Sequence, residues 1–152
     1  MTSQISICLF YMILILISSN YKCKSLSETD DFGLFRSYEV HVINNISTTH
    51  DVIIKGDDKL FLQCKSGDDD LGGHILGKGE DLHWNFKVNF WSSTLFYCKM
   101  NWGFKKQEFT VFSVGHMTIK CEITRKCFWM VTDDGFYFGC DQKNYTLEYV
   151  WN

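Results

Sequence analysis

The chain has no proline among its 152 residues. No extended segment therefore loses a ladder donor to a pyrrolidine ring, and strands can form anywhere along it. It also lacks a basic stripe: paired basic side chains occur at Lys105-Lys106 and Arg125-Lys126, the others are scattered, and the formal net charge is −3. A nucleic-acid partner is excluded on that ground, since phosphate recognition needs clustered positive charge. No apolar run is long enough to span a bilayer, the uninterrupted stretch from Ile7 to Ile17 being too short. There is no internal repeat, no low-complexity tract and no convincing helical period.

What is present begins with that short apolar run. Ser18, Ser19 and Asn20 follow it at once, and Tyr21, Lys22 and Lys24 stop it. The length and the small residues fit a secretory signal peptide over residues 1–19, cleaved after Ser19, with Ile17 and Ser19 at the positions the peptidase reads. The remainder is expected to be secreted and extracellular, with no stable membrane insertion once the signal is removed. It is enough chain for one domain with one core and too little for two. Residues 20–36 are polar without a sustained period and read as a flexible arm; residues 37–152 read as the domain.

Within the domain the apolar side chains recur every second residue. Tyr38, Val40 and Val42 alternate with Glu39 and His41; Leu60, Leu62 and Cys64 share a face, as do Leu82, Trp84, Phe86 and Val88, then Thr94, Phe96, Cys98 and Met100. Further strands are expected at 51–55, 108–114, 127–131, 135–140 and 145–151, with a short edge strand at 119–123. About nine short strands separated by Gly, Asn and Asp indicate an all-β fold, a single antiparallel β-sandwich or small barrel. The segment holding Asp68, Asp69, Asp70, Gly72 and Gly73 is read as an acidic loop.

Seven cysteines in a small exported chain read as a disulfide framework. Cys8 leaves with the signal. Cys64 and Cys98 point inward on neighbouring strands and are expected to bond, closing a loop of about 35 residues that stabilises the fold by roughly 3 to 4 kcal/mol. Cys127 and Cys140 are the second expected pair, because the turn at Thr132, Asp133, Asp134 and Gly135 would fold their strands together. Cys23 and Cys121 remain, joined or free. Asn45-Ile46-Ser47 and Asn144-Tyr145-Thr146 are glycosylation sequons, a second mark of export.

Several stretches in order carry a family likeness: Val40-His-Val-Ile-Asn-Asn45, Cys64-Lys-Ser-Gly-Asp-Asp-Asp-Leu-Gly72, Trp84-Asn-Phe86, Leu95-Phe-Tyr-Cys98 followed by Trp102, Phe109-Thr-Val-Phe112, and Cys127-Phe-Trp129 with Asp134-Gly135. From about Tyr38 to Trp151 the chain resembles the plant self-incompatibility protein family, the S-protein homologues. That resemblance implies a small secreted, disulfide-braced β-sandwich of immunoglobulin-like two-sheet architecture with no enzymatic activity. It also implies a monomer that acts as an extracellular ligand, of the kind a pollen surface receptor recognises when incompatible pollen is arrested. The segment 47–59 is longer than the family's usual hairpin, and Cys23 and Cys121 are additional to its usual cysteines.

Asp68, Asp69 and Asp70 are the sharpest local feature. Three adjacent carboxylates repel unless solvated or bound, and their spacing does not match an EF-hand loop, so they are read first as turn residues, then as a partner-binding loop, and last as a cation site. The five histidines, His41, His50, His74, His83 and His116, suggest a secreted ribonuclease only if two converge on a phosphate beside a basic group. None lies in a His-Gly-Leu-Trp-Pro-like context, and His41 and His83, alternating with apolar residues, are expected to face solvent. Trp91 and Trp102, beside turn residues, are the candidates for an exposed sugar-stacking platform; Trp84, Trp129 and Trp151 read as core. Two functions are carried forward, a receptor-binding signalling ligand and a carbohydrate-binding or defence protein. Neither needs a catalytic residue, a metal or a cofactor.

Overall fold

A computed structural model describes residues 36–47, 59–88 and 93–152. The expected signal peptide, the arm up to residue 35, the strand at 51–55, and Cys8, Cys23, His50 and Trp91 lie outside the described residues. The elements in order are β1 (Ser37–Asn44), β2 (Leu60–Lys65), β3 (Asp70–Leu76), β4 (Asp81–Lys87), β5 (Leu95–Trp102), β6 (Lys105–Ser113), α1 (Met117–Lys120), β7 (Lys126–Val131), β8 (Gly135–Gly139) and β9 (Thr146–Val150).

Alternation places these strands in two layers. One sheet has the order β4-β1-β7-β8-β9 and the other β3-β2-β5-β6. Tyr38, Val40 and Val42 of β1, Leu60, Leu62 and Cys64 of β2, and Phe96, Cys98 and Met100 of β5 turn inward and are buried between the layers. Each large apolar side chain so buried contributes about 1.5 to 3 kcal/mol. Trp129, fully buried on β7, donates its indole N–H to the Val111 carbonyl of β6 at 2.9 Å, tying one layer to the other. The two-sheet all-β architecture agrees with the alternation, with one difference: β1 runs parallel to β7. The chain enters both strands from the same end, because the β6–β7 connection crosses between the sheets through α1.

That connection corrects two expectations. Residues 119–123 form no edge strand. Met117–Lys120 make a helical turn, with Cys121 donating to the Met117 carbonyl and Arg125 to the Cys121 carbonyl. Met117 and Cys121, four residues apart, are buried, while Ile119 and Ile123, which a strand would place on the same face as Cys121, stay exposed. The same turn brings Cys121 to Cys127, and these two are bonded, with Cα atoms 5.7 Å apart. The expected Cys127–Cys140 bridge is therefore incorrect: the β7–β8 ladder ends at Gly139, and Cys140 departs into the following turn. Cys140 is disulfide-bonded, but not to Cys127.

A third correction concerns the acidic stretch, which continues straight into β3 rather than a linker. Gly72 and Gly73 hide this strand from an alternation test because they have no side chain to alternate. Gly73 sits against the Phe61 ring, whose edge carbons would lie 3.3 Å from a Cβ there. Gly72, at φ +78°, lies where the β2–β3 register shifts, a bulge that a left-handed glycine accommodates.

Candidate recognition surface

The β2–β3 hairpin holds its turn without help from two of its three carboxylates. Ser66 donates its backbone N–H to the Asp69 carbonyl at 2.7 Å. Its hydroxyl oxygen accepts from the N–H groups of Asp68 and Asp69 at 3.2 and 2.9 Å. A serine that satisfies two backbone donors in this way sets the turn by itself. Asp68 and Asp69 are exposed, and neither carboxylate has a partner among the described residues.

Asp70 behaves differently, and the triad divides at that point. Its carboxylate pairs with Lys65 Nζ at 2.7 Å across the strands and accepts the Gly72 N–H at 2.9 Å. The Lys65 contact, then the Gly72 donor, hold the Asp70 carboxyl below its usual range; reciprocally, Asp70 pushes the Lys65 ammonium up. Of the partner-binding residues expected from sequence, Asp68 and Asp69 are presented outward, and Asp70 belongs to the hairpin.

The sequons lie at opposite ends of the sandwich. Asn45, exposed, follows β1 and donates its N–H to Val131 at the end of β7. Asn144, also exposed, sits in the β8–β9 connection, where Asp141 accepts from its backbone N–H and its side-chain amide. The acidic turn shares an end with Asn144 but not an edge. It joins β2 to β3, the edge strand beside β4, whereas the β8–β9 connection joins the opposite edge, where Gln107 of β6 reaches Val150.

Trp102 does not form an open stacking platform. It is half-buried, its ring centroid is 6.0 Å from that of Trp151, and Lys105 Nζ stands 4.7 Å over it. Sequence reading missed its neighbour Phe104, which is fully exposed at the β5–β6 turn. The signal was available in Gly103-Phe104, a two-residue connection between two alternating runs, whose second member a hairpin directs into solvent.

The histidines separate by environment. His74 contacts the Leu71 carbonyl at 2.8 Å, and His83 is exposed as expected. His41 is not: it is buried on the outer face of central strand β1, stacked on Phe128 at 4.4 Å between centroids, because the neighbouring parallel strand lays an aromatic ring beside it. Its Nδ1 faces Asp81 Oδ2 at 2.7 Å and its Nε2 lies 3.5 Å from Glu39 Oε1. Glu39 is in turn held by Lys126 at 2.6 Å, the contact chiefly responsible for keeping its carboxyl below the ordinary value. Two carboxylates flanking the ring make this a poor site for a phosphate, against the nuclease reading. His41, Asp81 and His83 have donor atoms within 4.8 Å of one another and form a group able to hold a metal.

A family profile described as plant self-incompatibility protein S1 matches residues 39–151. Among Arabidopsis thaliana proteins, the chain is 40% identical to S-protein homolog 24 over 94 residues, 60% of this chain and 61% of that protein. It is 39% identical to S-protein homolog 6 over 108 residues, 66% of this chain and 74% of that one. With S-protein homolog 29 the likeness extends over 97% of this chain and 93% of the relative, at 30% identity. The match to homolog 24 thus spans about three fifths of that relative's length. A solved structure, of SPH (Self-Incompatibility Protein Homologue) proteins, "a widespread family of small, highly stable, secreted proteins from plants", superposes with a TM-score of 0.57. It covers 76% of this chain and 95% of that one at 15% identity, a likeness of fold alone.

Proposed function

The chain belongs to the plant self-incompatibility protein S1 family, and from that premise we propose that it is a secreted, non-enzymatic recognition ligand that binds a cell-surface protein receptor through its loops. The observation that carries the reading is the acidic turn. Ser66 and the backbone hold it, so the Asp68 and Asp69 backbone is fixed while their exposed carboxylates are engaged by nothing described. Preorganised charge of this kind costs little ordering entropy on binding and selects a basic partner surface. Export is supported by the apolar run ahead of Ser18 and by the state of the cysteines, since all five described ones are disulfide-bonded. The relative whose fold it shares is itself described as secreted. A ligand without catalysis fits the close His41–Asp81 pair, because the second ring nitrogen of His41 faces Glu39 rather than a hydroxyl or thiol.

The test uses the oxidised, labelled protein on intact plant protoplasts and, separately, on purified wall polysaccharide. Saturable binding to the cells that is abolished by mild protease treatment of their surface is the expected result. Binding to polysaccharide, insensitive to protease, would replace this reading with the carbohydrate-binding one.

A further inference from the structure

We propose that His41, Asp81 and His83 form a binding site for a borderline divalent metal ion of the Zn2+ type on the outer face of the sheet β4-β1-β7-β8-β9. His41 and His83 are directly paired across β1 and β4, and their rings stack with centroids 5.2 Å apart and planes 24° apart. Asp81 lies two residues before His83 on the same strand, so all three side chains share one face. Asp81 Oδ2 is 2.7 Å from His41 Nδ1 and 3.7 Å from His83 Nδ1. Tetrahedral zinc with ligand bonds of about 2.0 to 2.2 Å spaces its donor atoms about 3.3 Å apart. The two separations from Asp81 bracket that value, and the donor atoms of all three residues lie within 4.8 Å of one another. His83, with 54% of its side chain exposed, has the freedom to close the remainder.

The environment of His41 is the independent reason. Its side chain is only 9% exposed, packed between His83 and Phe128, and each ring nitrogen confronts a carboxylate. A neutral imidazole has one N–H and cannot satisfy both. His41 Nε2 is buried without a hydrogen-bond partner, 3.5 Å from Glu39. Metal on Nδ1 removes the conflict: Asp81 and Nδ1 become co-ligands, the ring proton resides on Nε2, and it points at Glu39, which Lys126 orients. A carboxylate behind a ligating histidine fixes the tautomer and raises its basicity, and losing such a partner typically lowers affinity about 10- to 100-fold. Two imidazoles and one carboxylate select a borderline ion over Ca2+ or Mg2+, which prefer oxygen. The open side toward solvent leaves the fourth position for water or for a group of a partner.

This site is on the other sheet from the acidic turn and stands or falls apart from the recognition reading. The test titrates the oxidised full chain with Zn2+ by calorimetry, and with Ca2+ and Mg2+ as controls, while thermal unfolding is followed in parallel. One Zn2+ per chain is expected, with a raised melting temperature and no response to the controls. His83→Gln, on an exposed side chain, should weaken Zn2+ binding at least about tenfold while leaving metal-free melting unchanged, and Glu39→Gln should weaken it less. Absence of saturable Zn2+ binding, or binding that His83→Gln and Asp81→Asn leave intact, overturns the proposal.

Discussion

Cys64 and Cys98 stand directly opposite each other on β2 and β5, bonded, with Cα atoms 4.1 Å apart. Both are fully buried, so the bridge runs inside the core, beneath the hairpin that presents the acidic turn. The same covalent link that shortens the unfolded chain therefore anchors the strand that leads into the turn carrying Asp68 and Asp69.

Replacing both cysteines with alanine should lower the unfolding free energy by about 3 to 4 kcal/mol, the value for a loop of this length. Denaturant titration of the double variant measures it. A shift in midpoint below about 1 kcal/mol would show that the bridge does not constrain the unfolded chain as argued.

Gly135 opens β8 against β9, and a Cβ added there would overlap the Tyr149 backbone carbonyl and crowd Leu147 at 2.8 Å. Backbone cannot yield as a flexible side chain can. Gly135→Ala should therefore destabilise by at least about 2 kcal/mol, at the severe end of overpacking, and free the β9 strand. Faster hydrogen exchange at Leu147 and Tyr149 than in the wild type is the expected signature; unchanged exchange would mean that β9 is not held this closely.

Acid stability follows from the depressed carboxyls, of which three besides Glu39 lie in turns or at a strand edge. Asp141 is held below its usual range by the N–H groups of Asn144 and Lys143, Asp134 by the Thr132 and Tyr137 hydroxyls, and Asp70 by Lys65. Each lowered folded-state pKa contributes stability that is complete above the unfolded value of about 3.9 and is lost as pH falls through the folded one. The stability difference between wild type and Asp141→Asn should thus be constant near neutrality and close below about pH 4. A difference that widens on acidification would contradict the assignment.

Much of the fold was legible because period-two patterning survives in strands with one inward face, as in Leu60-Leu62-Cys64 and Phe96-Cys98-Met100. It failed where side chains stop reporting position. Gly72 and Gly73 carry none, so β3 read as loop, and Ile119 and Ile123 mimic a strand while Met117 and Cys121, one helical turn apart, are buried. The second bridge was missed because a helical turn, invisible to alternation, shortens the path from Cys121 to Cys127. His41 was placed in solvent on the rule that every second residue faces out. That rule cannot see Phe128 arriving on a parallel neighbour more than eighty residues later. In the acidic stretch, chemistry alone could not separate Asp70, bound to Lys65, from Asp68 and Asp69; the hairpin register does.

The receptor-ligand account is tested most directly by the affinity of the Asp68→Asn/Asp69→Asn variant for protoplast surfaces. Ser66 and the backbone hold the turn, so its melting temperature should match the wild type while binding weakens at least about tenfold, the scale of losing fixed interfacial charges. Wild-type affinity in a variant that melts normally would contradict the account.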